Sequence, residues 1–269
     1  MLKNNLLQGV LGMNKNKVSF RMIQYELRNV AGNPFVHIFG VGFPILMSII
    51  IPRAVASEVP DGTYIGEIVT SIFLGIGGII PMATILMGYS STCSQDIEKG
   101  IPLRMRLFGF SEKYTIINRL IAEFIYMTFA FLIYFIVGVN ALEIVKPVIS
   151  GVVIYLICLY VFAAALFILA HAIANLVKKF GLTYMITMII YFGMMILSGM
   201  MGITVDKLPK SVKFISNLLP SAYLNKDIYT VWVGKTYNYV PMLQSYIFFF
   251  AISGILVFLM IYRSKRNLH

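Results

Sequence analysis

The sequence predicts an all-α integral membrane protein, in which six transmembrane helices follow an N-terminal amphipathic helix that lies in the membrane plane. Hydrophobic residues make up 59% of the 269 residues, whereas soluble domains contain about 45–50%. These residues form long continuous runs, and roughly 20 such residues cross a bilayer as a helix. Because the runs do not alternate with polar residues in segments of about ten, they favour helices over the strands of a β-barrel.

Six of the apolar runs are candidate membrane spans. The first is the shortest, and we expect its helix to break at Pro44. We place the spans at about residues 35–51, 65–91, 114–139, 148–176, 182–203 and 240–262. The chain then divides into an N-terminal region at residues 1–34, a six-span domain at residues 35–262 and a basic tail at residues 263–269. Inside the domain lie a charged loop at residues 94–113 and a second loop with short helices at residues 204–239.

Lysine and arginine divide unevenly between the two sides of this topology. The side that holds both termini and the charged loop carries 15 of the 22 Lys and Arg and 5 of the 11 Asp and Glu, a net charge of +10 out of the total of +11. Cytoplasmic segments of membrane proteins collect Lys and Arg, so we expect both termini to be cytoplasmic. The basic excess then faces anionic lipid headgroups and does not indicate nucleic acid as a partner.

Residues 16–32, NKVSFRMIQYELRNVAG, form the predicted in-plane helix. Apolar side chains recur at helical spacing on one face and mainly basic ones on another. The apolar stripe contains Phe20, Ile23, Leu27 and Val30, and the basic stripe contains Lys17, Arg21, Gln24 and Arg28. A helix of this kind lies at the membrane interface with its cations among the headgroups. A targeting or solvated segment is the alternative.

Residues 94–114, SQDIEKGIPLRMRLFGFSEKY, place seven charged residues in a chain that is only 12% charged. Gly100-Ile101-Pro102 interrupts the helix, and apolar residues then alternate with Arg104 and Arg106. A short amphipathic piece between two long helices suits docking into a cleft on another protein, and Arg is favoured at such interfaces. An ordinary solvated loop, whose charges only fix the topology, is the alternative.

Six spans, an amphipathic entry helix and an acidic-then-basic loop between spans two and three resemble an ABC transporter permease of the type-2 export class. That family's loop has the form E-x-E-x-G-x-x-x-x-L-x-x-x-P. The corresponding segment of this chain is QDIEKGIPLRMRLFGFSEKYTIINRL, and it departs from the family form at Phe110-Ser111, where Pro is frequent. A second similarity lies at residues 197–229, where Leu208-Pro209, Leu219-Pro220 and Tyr223 match the family pattern before the last span. Together the similarities cover essentially the whole chain.

The resemblance implies a permease subunit whose charged loop forms a coupling helix on a separate ATP-binding subunit. It also implies two copies of that subunit, which hold ATP and Mg, a second permease chain in a homodimer or heterodimer, surrounding membrane lipids and a plasma-membrane location. Export of a hydrophobic or amphipathic substrate is expected, such as a drug, a peptide toxin or bacteriocin, or a lipid. The coupling residues would be Asp96, Glu98, Lys99, Gly100, Pro102, Arg104, Arg106, Leu107 and Phe108.

Two ionisable residues of span three are candidates for a functional pair inside the membrane. Arg119 and Glu123 are four residues apart, which is the spacing of an ion pair along one helix face. Charged groups within spans are costly and are functional candidates by default. A pair that only lowers the cost of burial is the alternative.

Two other classes of function remain open from the sequence. A secondary transporter would favour inverted repeats around ionisable residues at the midplane, and no internal repeat is evident. An intramembrane enzyme would need convergent catalytic groups, of which Ser198 with His171 is the nearest candidate. YTVWVGKT at residues 229–236 resembles a P-loop only at its end, because Tyr229 stands where the first glycine is required. We therefore expect no ATPase site, no cofactor and no metal in this chain.

Overall fold

The structure is a computed structural model that describes residues 17–56, 65–201, 205 and 209–266. The described residues form helices and turns and contain no strand. Six helices are long and apolar enough to cross a membrane, which confirms the predicted all-α architecture. Parts of the predicted N-terminal region, second loop and tail lie outside the described residues, at residues 1–16, 202–204, 206–208 and 267–269.

The spans and the shorter helices alternate along the chain. An entry helix, Phe20–Ala31, precedes span 1, and a loop helix, Ile101–Leu107, joins spans 2 and 3. Spans 1 to 6 comprise Pro34–Val55, Ile65–Glu98, Glu112–Ala141, Ile149–Val177, Phe180–Leu197 and Val240–Arg266. Three short helices lie between spans 5 and 6, at Lys210–Ser216, Pro220–Lys226 and Ile228–Trp232.

Span 1 does not break at Pro44, contrary to expectation. A π-helical turn at Ile38–Gly42 leads directly into the helix Phe43–Ala56, in which Pro44 is the second residue. Proline removes a backbone donor and crowds the turn before it, and a π-helical turn is wider than an α-helical one. The change of helix type therefore lets the span continue past the proline.

Span 2 is the most buried of the six and forms the centre of the bundle. After Pro81 it contains a π-helical segment, Met82–Tyr89, in which every residue is buried. Spans 4 and 5 pack against this segment, and span 4 also packs along span 6. Span 2 continues to Glu98, beyond its predicted end at residue 91, so the loop helix follows directly after its last turn.

The two ends of the bundle are built differently. The loop helix, the link between spans 4 and 5 and the end of span 6 lie at one end, here called the loop-helix end, and the three short helices lie at the far end. The helix Ile228–Trp232 packs closely on span 4, since a Cβ at Gly151 would lie 2.5 Å from the carbonyl oxygen of Val231. The indole of Trp232 donates a hydrogen bond to the carbonyl oxygen of Val145 at 2.9 Å.

Candidate functional site

The loop helix begins at a glycine that turns the chain away from span 2. Gly100 has φ 69°, a left-handed conformation that suits glycine, and its N–H donates to the carbonyl oxygen of Ile97 at 3.0 Å. Pro102 then lies in the first turn of the loop helix, where a missing N–H costs little. The guanidinium of Arg104 donates to the carbonyl oxygen of Lys99 at 2.8 Å, which closes this corner.

A second left-handed glycine ends the loop helix. Gly109 has φ 83°, and its N–H donates to the carbonyl oxygen of Arg106 at 2.9 Å. The N–H of Phe110 donates to the carbonyl oxygen of Met105 at 3.0 Å. This pair of bonds is the Schellman motif, which satisfies the last carbonyls of a helix. The loop helix is therefore a defined element held between two fixed turns.

The loop helix exposes apolar side chains at the polar end of the bundle. Leu103 is 62% exposed, Leu107 is 78% exposed and Phe108 is 66% exposed. Leu103 and Leu107 are one helical turn apart and so lie on the same face. Arg104 and Arg106 are also exposed and flank this face. The result is a small apolar surface with cationic edges.

The two acidic residues of the predicted coupling loop contact other spans of the chain. Asp96 forms an ion pair with Arg119 of span 3, and both side chains are largely buried. Glu98 accepts a hydrogen bond from the N–H of Phe180 at 3.0 Å, which fixes the end of span 2 to the start of span 5. Lys99 is exposed and supplies the carbonyl that binds Arg104. These contacts attach the base of the loop helix to two other spans.

Arg119 joins three elements at the loop-helix end. Its Nε donates to Oε2 of Glu26 in the entry helix at 2.8 Å, and its Nη2 binds Asp96 at the end of span 2. The guanidinium also lies 5.8 Å from the ring centre of Tyr89, a distance suited to a cation–π contact. Burial raises the pKa of Glu26, and the positive charge of Arg119 opposes that rise. A buried cation is thus compensated by two carboxylates from neighbouring elements.

Among the described residues Arg119 forms its ion pairs with residues other than Glu123, and a functional role for Arg119 and Glu123 together stays a prediction. Arg119 takes its ion-pair partners from the entry helix and span 2, where two carboxylates meet it. Glu123 is 1% exposed, and its Oε2 has no hydrogen-bond partner. The i, i+4 spacing therefore brings the two residues onto one face without joining them.

The entry helix is present. The residues through which it contacts the bundle differ from the predicted apolar stripe. Met22, Glu26 and Val30 are buried against span 3. Of the predicted apolar stripe, Phe20 is 79% exposed, and Ile23 and Leu27 are half-buried. The basic residues Arg21 and Arg28 are exposed.

Glu26 is the functional candidate that the sequence reasoning missed. It is the one acidic residue in FRMIQYELRNVA, four residues from both Met22 and Val30. That spacing places it on the face with two apolar residues, and an acid in such a position signals a buried cationic partner.

The residues considered for catalysis do not form a catalytic group. The hydroxyl of Ser198 lies 2.5 Å from that of Ser221, whereas Nδ1 of His171 lies 2.7 Å from the hydroxyl of Tyr89. Gly234 and Lys235 follow the end of the helix Ile228–Trp232 and do not open a helix, as a P-loop requires. Among the described residues, no cluster of three His, Cys, Asp or Glu side chains could hold a metal ion.

Comparison with known proteins identifies the family. The model of the ABC-2 type transporter family matches residues 19–229. Neither the curated proteins nor the solved structures gave a match. Membrane subunits of this family generally pair with an ATP-binding subunit. Because the match covers most of the chain and agrees with its six spans, the protein belongs to the ABC-2 type transporter family and is a multi-pass transmembrane permease subunit.

Proposed function

We propose that this chain is the permease of an ATP-driven exporter and that its loop helix is the docking site for the ATP-binding subunit. The observation that carries the proposal is the exposure of Leu103 and Leu107 on one face of the loop helix. Exposed apolar side chains with a polar surround are typical of protein interfaces, and Arg is enriched there. The surface fits a shallow apolar cleft with acidic edges.

The contacts around the loop helix supply a route for motion into the membrane. A force on the loop helix reaches span 2 directly, because two fixed turns hold the helix. The ion pair between Asp96 and Arg119 transmits this force to span 3. The ion pair between Arg119 and Glu26 transmits it to the entry helix. Glu98 carries it to the start of span 5. Movement of the docked subunit during ATP hydrolysis would therefore shift several helices together.

The working assembly contains two permease chains, identical or different, and two ATP-binding subunits that hold ATP and Mg. We place it in the plasma membrane with both termini and the loop helix in the cytoplasm, because the basic residues gather at that end. The entry helix then lies at the cytoplasmic interface, with Phe20 and the basic residues Arg21 and Arg28 exposed to lipid and headgroups.

We assign the substrate to the hydrophobic or amphipathic class, such as a drug, a peptide toxin or a lipid. The chain has 16 Met and 20 Phe residues, which suit an adaptable apolar passage. Cells that lack the gene should accumulate such a compound and regain its export with the intact gene. Export of a hydrated polysaccharide, without any effect on apolar compounds, would contradict this assignment.

Docking is tested by removing the apolar face of the loop helix. Leu103→Ser with Leu107→Ser should weaken co-purification with the ATP-binding subunit by at least about tenfold, since an apolar side chain buried at an interface contributes roughly 1–2 kcal/mol. The matched control is Phe214→Ser with Ile215→Ser, two exposed apolar residues of a short helix at the far end. Equal association of both double variants with the subunit would refute docking on this helix.

The flanking cations give a second test of the same surface. Arg104→Glu with Arg106→Glu should release the ATP-binding subunit and abolish ATP hydrolysis stimulated by the permease, because like charges then meet at the acidic edges of the cleft. Lys146→Glu with Lys210→Glu, two exposed residues outside the loop helix, makes the same change in net charge. That control should leave association unchanged.

A further inference from the structure

A cavity of about 370 Å³ opens at the loop-helix end between spans 3, 4 and 6. Its charged lining residues are Lys178, Arg263, Lys265 and Glu112. Three cations and one carboxylate leave an excess of two positive charges. None of these residues belongs to the exposed face of the loop helix described above. The cavity therefore needs a separate explanation.

Lys178 occupies a backbone conformation that is unfavourable for lysine. Its φ is 60°, and it is the only residue other than glycine with positive φ in the described part of the chain. The residue ends span 4, a position where glycine usually adopts this conformation. A side chain there costs about 1 kcal/mol, and such strain often marks a functional position. The cost is understandable if the charge of Lys178 has to face the cavity.

The rest of the cavity wall has two regions, one apolar and one polar. Leu176, Val177, Met260 and Ile261 form the apolar part. The polar part contains His171 and Asn175, whose Nδ2 donates to the carbonyl oxygen of His171 at 2.9 Å. An occupant must therefore combine negative charge with apolar surface.

The apolar wall continues along the outside of span 6. Ile261 of that wall lines the cavity and is 46% exposed, and Phe258 and Ile255 precede it at intervals of three residues and are 67% and 60% exposed. In a membrane-spanning helix this surface is available to acyl chains. Basic pockets between spans at the cytoplasmic side are known to suit anionic lipid headgroups.

We propose that this cavity binds the phosphate headgroup of an anionic phospholipid, with Lys178, Arg263 and Lys265 around the phosphate and the acyl chains along span 6. Glu112 lowers the affinity by offsetting one positive charge. The inference goes beyond the transport function and does not depend on it.

The test measures binding of phosphatidylglycerol to the purified full-length chain in neutral detergent by native mass spectrometry. Lys178→Gln with Arg263→Gln should weaken binding roughly 10- to 30-fold, at about three- to fivefold for each charge. The matched control is Lys179→Gln with Arg266→Gln, which removes equal charge from the neighbouring positions outside the cavity. The control should change binding less than about threefold.

Two single variants guard against loss of folding. Lys178→Gly removes the charge and relieves the left-handed backbone, so it should weaken lipid binding while raising thermal stability. Glu112→Gln should strengthen binding several-fold, a direction that a merely structural role would not produce. A loss of binding in Glu112→Gln would overturn the proposal.

The remaining outcomes also decide the proposal. Equal losses in the two double variants would mean diffuse surface attraction, and no loss in either would mean that lipid binds elsewhere. Both results overturn the site. Displacement of phosphatidylglycerol by inorganic phosphate would assign the cavity to a soluble phosphate. Unchanged lipid binding, with weaker association of a second permease chain or the ATP-binding subunit, would make the cavity a protein interface.

Discussion

Nε of Arg119 donates a hydrogen bond to the carboxylate of Glu26 at 2.8 Å, across 93 positions of the sequence. This bond attaches the entry helix to span 3 at the point where Asp96 brings in the end of span 2. The loop helix is thus supported by side chains that come from three separate elements. Its position depends on a buried cation as well as on its own backbone turns.

Removal of the cation should cost much more stability than removal of one of its partners. Arg119→Ala leaves Glu26 and Asp96 facing each other without compensation, and we expect a loss of roughly 3–5 kcal/mol. Glu26→Gln leaves Arg119 paired with Asp96, and the loss should be about 1 kcal/mol. Thermal unfolding of both variants in the same detergent measures the difference. Equal losses would mean that Asp96 contributes little to holding Arg119.

The ionisation of Glu26 should make stability depend on pH. Its pKa is raised by burial above the ordinary value of 4.5, so the folded chain binds more protons than the unfolded chain between pH 4.5 and the raised pKa. The free energy of unfolding should then fall as the pH increases through that window. Unfolding midpoints recorded from pH 4.5 upward would detect this slope. Glu26→Gln should flatten it, and an identical slope in that variant would assign the effect to another group.

The buried carboxyl of Glu123 offers a test for a functional role inside the membrane. Its Oε2 has no hydrogen-bond partner, and an unsatisfied buried polar atom costs about 1–3 kcal/mol. Glu123→Met should therefore stabilise the chain by about 1–2 kcal/mol. Transport by the stabilised variant is the second measurement. Greater stability with lost transport would identify Glu123 as a functional residue, whereas intact transport would assign it to packing.

Glycines of spans 4 and 5 should respond in opposite ways to an added methyl group. A Cβ at Gly151 would lie 2.5 Å from the carbonyl oxygen of Val231 and 2.8 Å from Cα of Trp232, and backbone atoms cannot rotate away. Gly151→Ala should cost about 1–3 kcal/mol. Gly193 has no atom within 4 Å of that position, so Gly193→Ala should be neutral or stabilising by up to about 1 kcal/mol. Thermal unfolding of the two variants compares them directly.

The proposed orientation in the membrane can be read by cysteine labelling. Leu107→Cys is exposed on the loop helix and should react with an impermeant thiol reagent only after the cell is opened. Lys146→Cys is exposed near the far end and should react in intact cells. The native residues Cys93 and Cys158 are buried and should give little background. Labelling of Leu107→Cys in intact cells would invert the topology.

The spans were predictable because lipid imposes a strong constraint on the sequence. Continuous apolar runs located all six spans, and the Gly100-Ile101-Pro102 interruption located the loop helix. The end of span 2 was not predictable, because residues 90–98 are polar. Ser90, Ser91 and Ser94 donate hydrogen bonds to carbonyl oxygens of their own helix. Tertiary packing against spans 4 and 5 can therefore bury this polar segment.

The partners of Arg119 were not predictable from spacing. The i, i+4 rule considers one helix, and it favoured Glu123. Glu26 lies 93 positions away, so only the packing of the entry helix on span 3 brings it to the guanidinium. A local pattern identifies which face a residue occupies, but the neighbour across that face depends on the tertiary fold.

Trp232 is the only tryptophan of the chain, and it is enclosed at the far end of the bundle. Its ring stacks on Phe135 at 6.3 Å between centroids and meets Tyr155 edge-on at 6.0 Å. Emission from this indole therefore reports the surroundings of a single site without any attached dye. In the proposed assembly nucleotide would bind at the opposite end, so a spectral change of this indole would be an optical signal that the effect has crossed the bilayer.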